Sequence, residues 1–317
     1  MEQLFLPNDG PLLSAVDDVP AYLGDVLEKM VIQHPPKDEY KGEETMGAWA
    51  GPSGIAYLFL HLSVARPDKK INGHDALHWA RAYLAGKRLP LPGLRTCGLI
   101  WETASFLAVR AAVTKNLADV EALLALAPDV LTGEHADEMT YGRTGFLYLL
   151  RMVRHWVPES AELVAEPARQ IAEVVMGNGP DWEFMGRRSL GAGHGDIGIL
   201  TQVALAVPEL APRVEPWLER VLGWQHEDGN WDKIQGDSRG KKLIQYCHGA
   251  PGMVISLVTL RPLFPRLHGK IDAAVEKGRG LIWREGVLVK EPAMCHGTLG
   301  NAMSAFPLPE LCGPADI

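Results

Sequence analysis

With 317 residues, 47% of them hydrophobic, the chain has the length for one large domain or two ordinary ones and the apolar content for a sizeable core. A net charge of −8, with no basic run longer than Arg239-Gly240-Lys241-Lys242, excludes a nucleic-acid binder, because neutralising phosphates needs a basic face. The N-terminal MEQLFLPNDGPLL lacks the basic and apolar regions of a secretory leader, and no window reaches the roughly 18 unbroken apolar residues of a membrane span. A cytosolic or nuclear address is therefore expected, without a transmembrane segment; peripheral membrane association stays open, although no basic amphipathic anchor is present. In that reducing setting Cys97, Cys247, Cys295 and Cys312 are expected to be free or metal-bound.

In chain order, apolar residues spaced three or four apart predict amphipathic helices over Val19–His34, Asp75–Leu89, Leu117–Leu126, Ser160–Val175, Pro212–Gln225 and Ile271–Arg284. Between them lie less charged segments that open on glycine turns. The first is Trp49-Ala50-Gly51-Pro52-Ser53-Gly54, then Cys97-Gly98-Leu99, then Tyr141-Gly142-Arg143-Thr144-Gly145. Three histidine-bearing turns follow: Gly193-His194-Gly195-Asp196-Ile197-Gly198, Cys247-His248-Gly249-Ala250-Pro251-Gly252 and Cys295-His296-Gly297-Thr298-Leu299-Gly300. Their first glycines, at 51, 98, 142, 195, 249 and 297, are 47, 44, 53, 54 and 48 residues apart, which reads as an internal repeat. One repeat is an αα-hairpin: an amphipathic outer helix, then a more apolar inner helix that starts at the glycine turn. Hairpins of this kind wrap into an α/α toroid. Gly-x-x-Gly also serves simple close packing, and for the turns at 51, 98 and 142 that reading is preferred. No interdomain linker is evident, so one domain over 1–317 is expected.

Two of the four cysteines stand in near-copies of one Cys-His-Gly heptapeptide, and thiolate and imidazole are the donors zinc prefers. Read singly, each cysteine suits a small buried hydrophobe; the duplicated context points to metal. At these residues the sequence resembles the lanthionine synthetase C-like family, on the eukaryotic side. The match runs in order through Tyr141–Gly145, Gly193–Gly198, Cys247–Gly252 and Cys295–Asn301. The resemblance implies an all-α, α/α toroid of seven inner and seven outer helices, with one Zn²⁺ held by Cys247, Cys295 and His296. Only six glycine turns are counted before the chain drifts through Pro307-Leu308-Pro309, so the expectation is a ring lacking its seventh, C-terminal hairpin.

Three protein ligands leave an open position, the arrangement of a catalytic zinc, at which an incoming thiol is held as thiolate at neutral pH. The resemblance gives His194 an acid/base role, against the alternative of a core histidine satisfied by a carbonyl. His248 is open between a second proton carrier, a group that orients the ligands, and packing. Lys290, five residues before Cys295, and Arg143 in its glycine turn are candidate anion partners for a thiol substrate; a solvated surface charge is the alternative for either. Asp196 suits a helix cap as well as an orienting carboxylate.

The expected activity is zinc-dependent addition of glutathione or a peptide cysteine thiol to dehydroamino acids in a peptide or protein, forming thioethers. The alternative is a zinc- and glutathione-binding scaffold without turnover. Gln225-His226-Glu227-Asp228-Gly229-Asn230-Trp231 matches the Gln-x-x-Asp-Gly-x-Trp motif of terpene-cyclase barrels, but it occurs once and reads as a loop capping an outer helix.

Overall fold

The structure, a computed structural model, describes residues 4–10, 18–89, 96–237 and 242–305. Helices dominate these residues, and strands are confined to two short two-stranded pairs. The Pro307–Pro309 tail and the basic run around Arg239 lie outside the described residues.

The chain divides into two compact units: 11–135 with 149–167, and 1–10 with 136–148 and 168–317. In the first unit, α1 (Val19–Gln33), α2 (Pro52–Ala65), α3 (Ala76–Ala85), α4 (Glu102–Thr114), α5 (Leu117–Leu124) and α6 (Ala127–Thr132) follow one another. The hairpins α2/α3 and α4/α5 pack as pairs, and Phe59 of α2 stacks on Tyr83 of α3 with centroids 5.9 Å apart. The helix expected over Asp75–Leu89 stops at Ala85. Lys87–Leu89 is instead a strand paired in parallel with Glu39–Lys41. Gly86 is the cause: its Cα lies against the Lys37 carbonyl and the Tyr40 ring, where a helix with side chains has no room. The helix expected over Leu117–Leu126 is α5, which ends at Leu124, and α6 follows it as a separate short helix.

The unit boundaries fall inside α7 (Arg143–Trp156) and α8 (Ala161–Asn178). The second unit continues with α9 (Asp196–Ala206), α10 (Ala211–Leu222), α11 (Ala250–Leu260), α12 (His268–Glu285) and α13 (Thr298–Ala305). Here the inner and outer character read from the sequence is visible. Helix α9 buries ten of its eleven residues, whereas α10 buries the stripe Val214, Leu218, Val221 and Leu222 and turns Arg213 and Glu219 outward. Helix α11 packs between α9 and α13, while α10 and α12 cover them as α9/α10 and α11/α12 pairs.

The glycine turns have a steric reason. A methyl group on Gly252 would overlap the Tyr246 carbonyl, and one on Gly300 the Met294 carbonyl, six residues back in each case. Gly249 adds φ +98°, a left-handed conformation that disfavours any side chain. The Gln225–Trp231 loop is a brace. Trp231 Nε1 donates to the Val221 carbonyl at the end of α10, and Asn230 accepts from Ala250 N at the start of α11. No described helix is long and apolar enough to cross a membrane.

Candidate functional site

Because α11 packs against α9 and α13, the turns that precede them meet, and their backbones bond in series: Gly193 N donates to the Cys247 carbonyl at 3.5 Å and Cys247 N to the Cys295 carbonyl at 3.0 Å. From the turn before α7, the Thr140 side chain donates Oγ1–H to the Gly193 carbonyl at 3.3 Å. All four residues stand two positions before the first glycine of their turn, so the repeat places one column of side chains along one line.

At the end of that line the Cys247 and Cys295 thiols are neighbours and act on one another. The Cys295 thiol, the Gln245 side-chain amide and the charge of His194 together draw Cys247 down to about 7 against its burial. The same pairing, with burial, holds Cys295 as the protonated partner. Gln245 Nε2 donates to Cys247 Sγ at 3.1 Å, while its Oε1 accepts from Lys290 Nζ at 2.7 Å. Lys290 therefore reaches the thiol pair through one amide, and its positive charge favours the ionised form of Cys295.

His194 lies beside them. Its Nδ1 is 2.7 Å from Glu138 Oε2, and the Glu138 carboxylate also accepts the backbone N–H groups of Thr140 and Tyr141. The Phe184 ring stacks on the imidazole at 5.2 Å with 3° between the planes. Glu138 is 2% exposed, so this is a buried carboxylate that fixes the ring's orientation. His248, its ring centre 6.0 Å from that of His194, is also buried. Burial, with the positive charges of Lys233 and His194, pushes it down to about 4, so it is a neutral imidazole at ordinary pH. Its Nδ1 is buried without a partner among the described residues.

Two expected residues are placed differently from the rest. Arg143 is buried and pairs with Asp137, Nη1 to Oδ1 at 2.9 Å, while Asp137 also accepts from Asn178. Asp196 pairs with Arg188 at 2.8 Å rather than with His194. His296 is exposed, although it occupies the position in its turn that His194 and His248 occupy in theirs. Among the described residues no three His, Cys, Asp or Glu side chains are gathered to hold a metal ion. The expected three-ligand set thus stands as a joined cysteine pair with the third donor turned to solvent.

Glu138 and Gln245 were not expected from the sequence. A signal for them exists: each lies four residues before the first glycine of its turn, where the 195 and 297 turns carry Gly191 and Ala293. Superposing the repeats isolates these two as the polar members of that column.

Comparison with known proteins accords with this geometry. Residues 45–313 match the family described as Lanthionine synthetase C-like protein. "Glutathione S-transferase LANCL1" of Danio rerio is 28% identical over 287 residues, covering 80% of this chain and 67% of that protein. "LanC-like protein GCL1" of Arabidopsis thaliana is 30% identical over 190 residues, covering 56% of this chain and 43% of that protein, so the match spans less than half of the plant relative. Among solved structures, "Nisin cyclase" superposes with a TM-score of 0.66 at 14% identity, over 93% of this chain and 84% of that one. This likeness shows the fold, the α/α toroid that the motifs imply. The chain belongs to the lanthionine synthetase C-like family.

Proposed function

We propose that this protein activates a thiol, from glutathione or a peptide cysteine, and adds it to a dehydroamino acid in a peptide or protein, giving a thioether. The observation that carries the reading is the junction of two Cys-His-Gly turns, Cys247 N donating to the Cys295 carbonyl, with the His194–Glu138 pair beside it. The names of the zebrafish relative and of the superposed structure, a glutathione transferase and a cyclase, support thiol and peptide partners.

The donor chemistry fits a zinc ion. Two neighbouring sulfurs, one of them drawn toward thiolate, are what a soft divalent cation selects. Cys247, Cys295 and His296 would hold it, His296 being next in the chain to Cys295. Bound there, zinc would lower the pKa of a substrate thiol so that it ionises at neutral pH.

The remaining work falls to the chain's own residues. His194, oriented through Nδ1 by Glu138, receives the thiol proton. As sulfur bonds to the β-carbon of the alkene, the π electron pair moves to the α-carbon, and His194 returns the proton there. Atoms and electrons balance without an oxidant. Lys290 attracts the carboxylates of glutathione toward Cys295, and neutral His248 keeps positive charge away from the second face of the thiol pair. Arg143 serves by bracing the turn through Asp137 rather than by touching substrate.

The test is elemental analysis of the full chain and its Cys295→Ala variant, followed by incubation with glutathione and a dehydroalanine peptide. About one zinc per chain, lost in the variant, and a product heavier by one glutathione are expected. A folded, zinc-free protein overturns the reading. Zinc and glutathione binding without adduct would establish the scaffold alternative.

A further inference from the structure

In the same unit as the thiol centre lies a cavity of about 590 Å³, the size that takes several residues of a peptide. Arg187 and Lys233 are on its lining. Both are exposed, and neither has an acidic partner among the described residues. The third cation on the lining, Lys242, is by contrast paired with Asp228 and Glu285.

Both are tied to the reacting groups. Arg187 closes a hairpin with Phe184, the two exchanging backbone hydrogen bonds at 2.9 and 3.1 Å, and Phe184 is the ring stacked on His194. The hairpin tip is Met185 and Gly186, with φ +53° and +68°. A left-handed methionine is held against its preference, and this one is 78% exposed, an apolar tip beside a polar cavity. Lys233 donates no side-chain bond, but its carbonyl accepts Leu190 N on the strand that leads into the His194 turn, and its charge acts on His248.

Resting on the thiol-addition reading, we propose that this cavity selects the electrophile: it binds a peptide carrying an Asp or Glu near the reacting dehydroamino acid. Arg187 and Lys233 hold that carboxylate, and Met185 packs on the peptide's apolar flank. Lys290 lies at the other cysteine and serves the thiol donor, so the two substrates are recognised by separate cations. Asp237 also lines the cavity and opposes this charge. The remaining acids there are engaged, Asp228 with Lys242 and Asp232 with His226.

The experiment is fluorescence anisotropy with two labelled peptides, each containing one dehydroalanine and differing only in Glu against Gln two residues away. Binding is read without turnover, so a failure of thiol addition leaves this measurement intact. The wild-type chain is expected to bind the Glu peptide about tenfold more tightly at low salt, with the preference shrinking as salt rises. Arg187→Glu with Lys233→Glu is expected to abolish or invert it, Asp237→Asn to raise it a few-fold, and Lys29→Glu on α1 to leave it unchanged. Equal binding of the two peptides by wild type overturns the proposal. So does a double variant that keeps the preference but loses glutathione, which would assign the cavity to the thiol donor.

Discussion

Glu102 and Glu138 are both buried carboxylates beside glycine turns, one in each unit, and they are satisfied by different kinds of partner. Glu102 accepts from Gly47 N at 2.9 Å, Ser53 Oγ at 2.8 Å and Arg88 Nε at 3.2 Å, while Arg88 is itself clasped between the Tyr40 and Phe106 rings. Both oxygens are engaged by fixed donors, so the group holds two turns together. Glu138 has backbone support from Thr140 and Tyr141, but its third partner is the imidazole of His194. On the proposed function, one scaffold device is structural where its partner is a guanidinium and chemical where it is an imidazole.

The sharpest way to break this contrast is at the thiols. Cys247→Ala is expected to lower glutathione addition by about 10³-fold or more while leaving the thermal melt within a few degrees, because the turn is held by backbone bonds and glycine packing. Activity near the wild-type level in that variant would end the chemical reading of this unit.

The two glutamates are expected to separate next. Glu138→Gln should reduce kcat by about 10²-fold and change the pH profile, since the amide no longer stabilises a charged His194. Glu102→Gln should leave the profile alone and destabilise the protein by about 2–4 kcal/mol, because Arg88 remains buried without its charge partner. Kinetics and urea melts of both variants check this, and matching behaviour would erase the distinction.

Glycine should show no such divergence. Gly54→Ala and Gly252→Ala both drive a methyl group into the carbonyl six residues back, of Ala48 and Tyr246, and each is expected to cost about 2–3 kcal/mol in urea melts. A neutral Gly252→Ala would mean the turn relaxes more freely than its close approach suggests.

The smallest effect concerns pH. Burial raises Asp196 to about 6 despite Arg188. The folded chain therefore binds this proton more tightly than the unfolded chain, and the associated stability is present in acid and lost as pH rises from about 4 to 6. Asp196→Asn is expected to flatten that decline, by on the order of 2 kcal/mol across the window, in urea titrations at pH 4 and 7.

Much of the fold was legible beforehand. The helices at Val19, Pro212 and Ile271 end within a few residues of their expected limits because each is an apolar stripe on a polar helix. The two Cys-His-Gly turns were legible as a pair. Gly86 shows where such reading stops: the apolar pattern continues to Leu89, but a neighbouring carbonyl and ring end the helix.

By itself, then, the sequence determined the repeat, its glycine turns, the paired Cys-His-Gly motifs, and the family. These depend on local backbone sterics and periodicity, which each segment carries alone. Only the tertiary structure decided that Glu138 backs His194, that Gln245 links Lys290 to Cys247, that Arg143 is consumed by Asp137, and that His296 faces solvent while His248 is buried. The reason is physical: a side chain's charge state and partners depend on burial and on what the neighbouring turns deliver, and residues 45 to 56 positions apart have no local signal for one another.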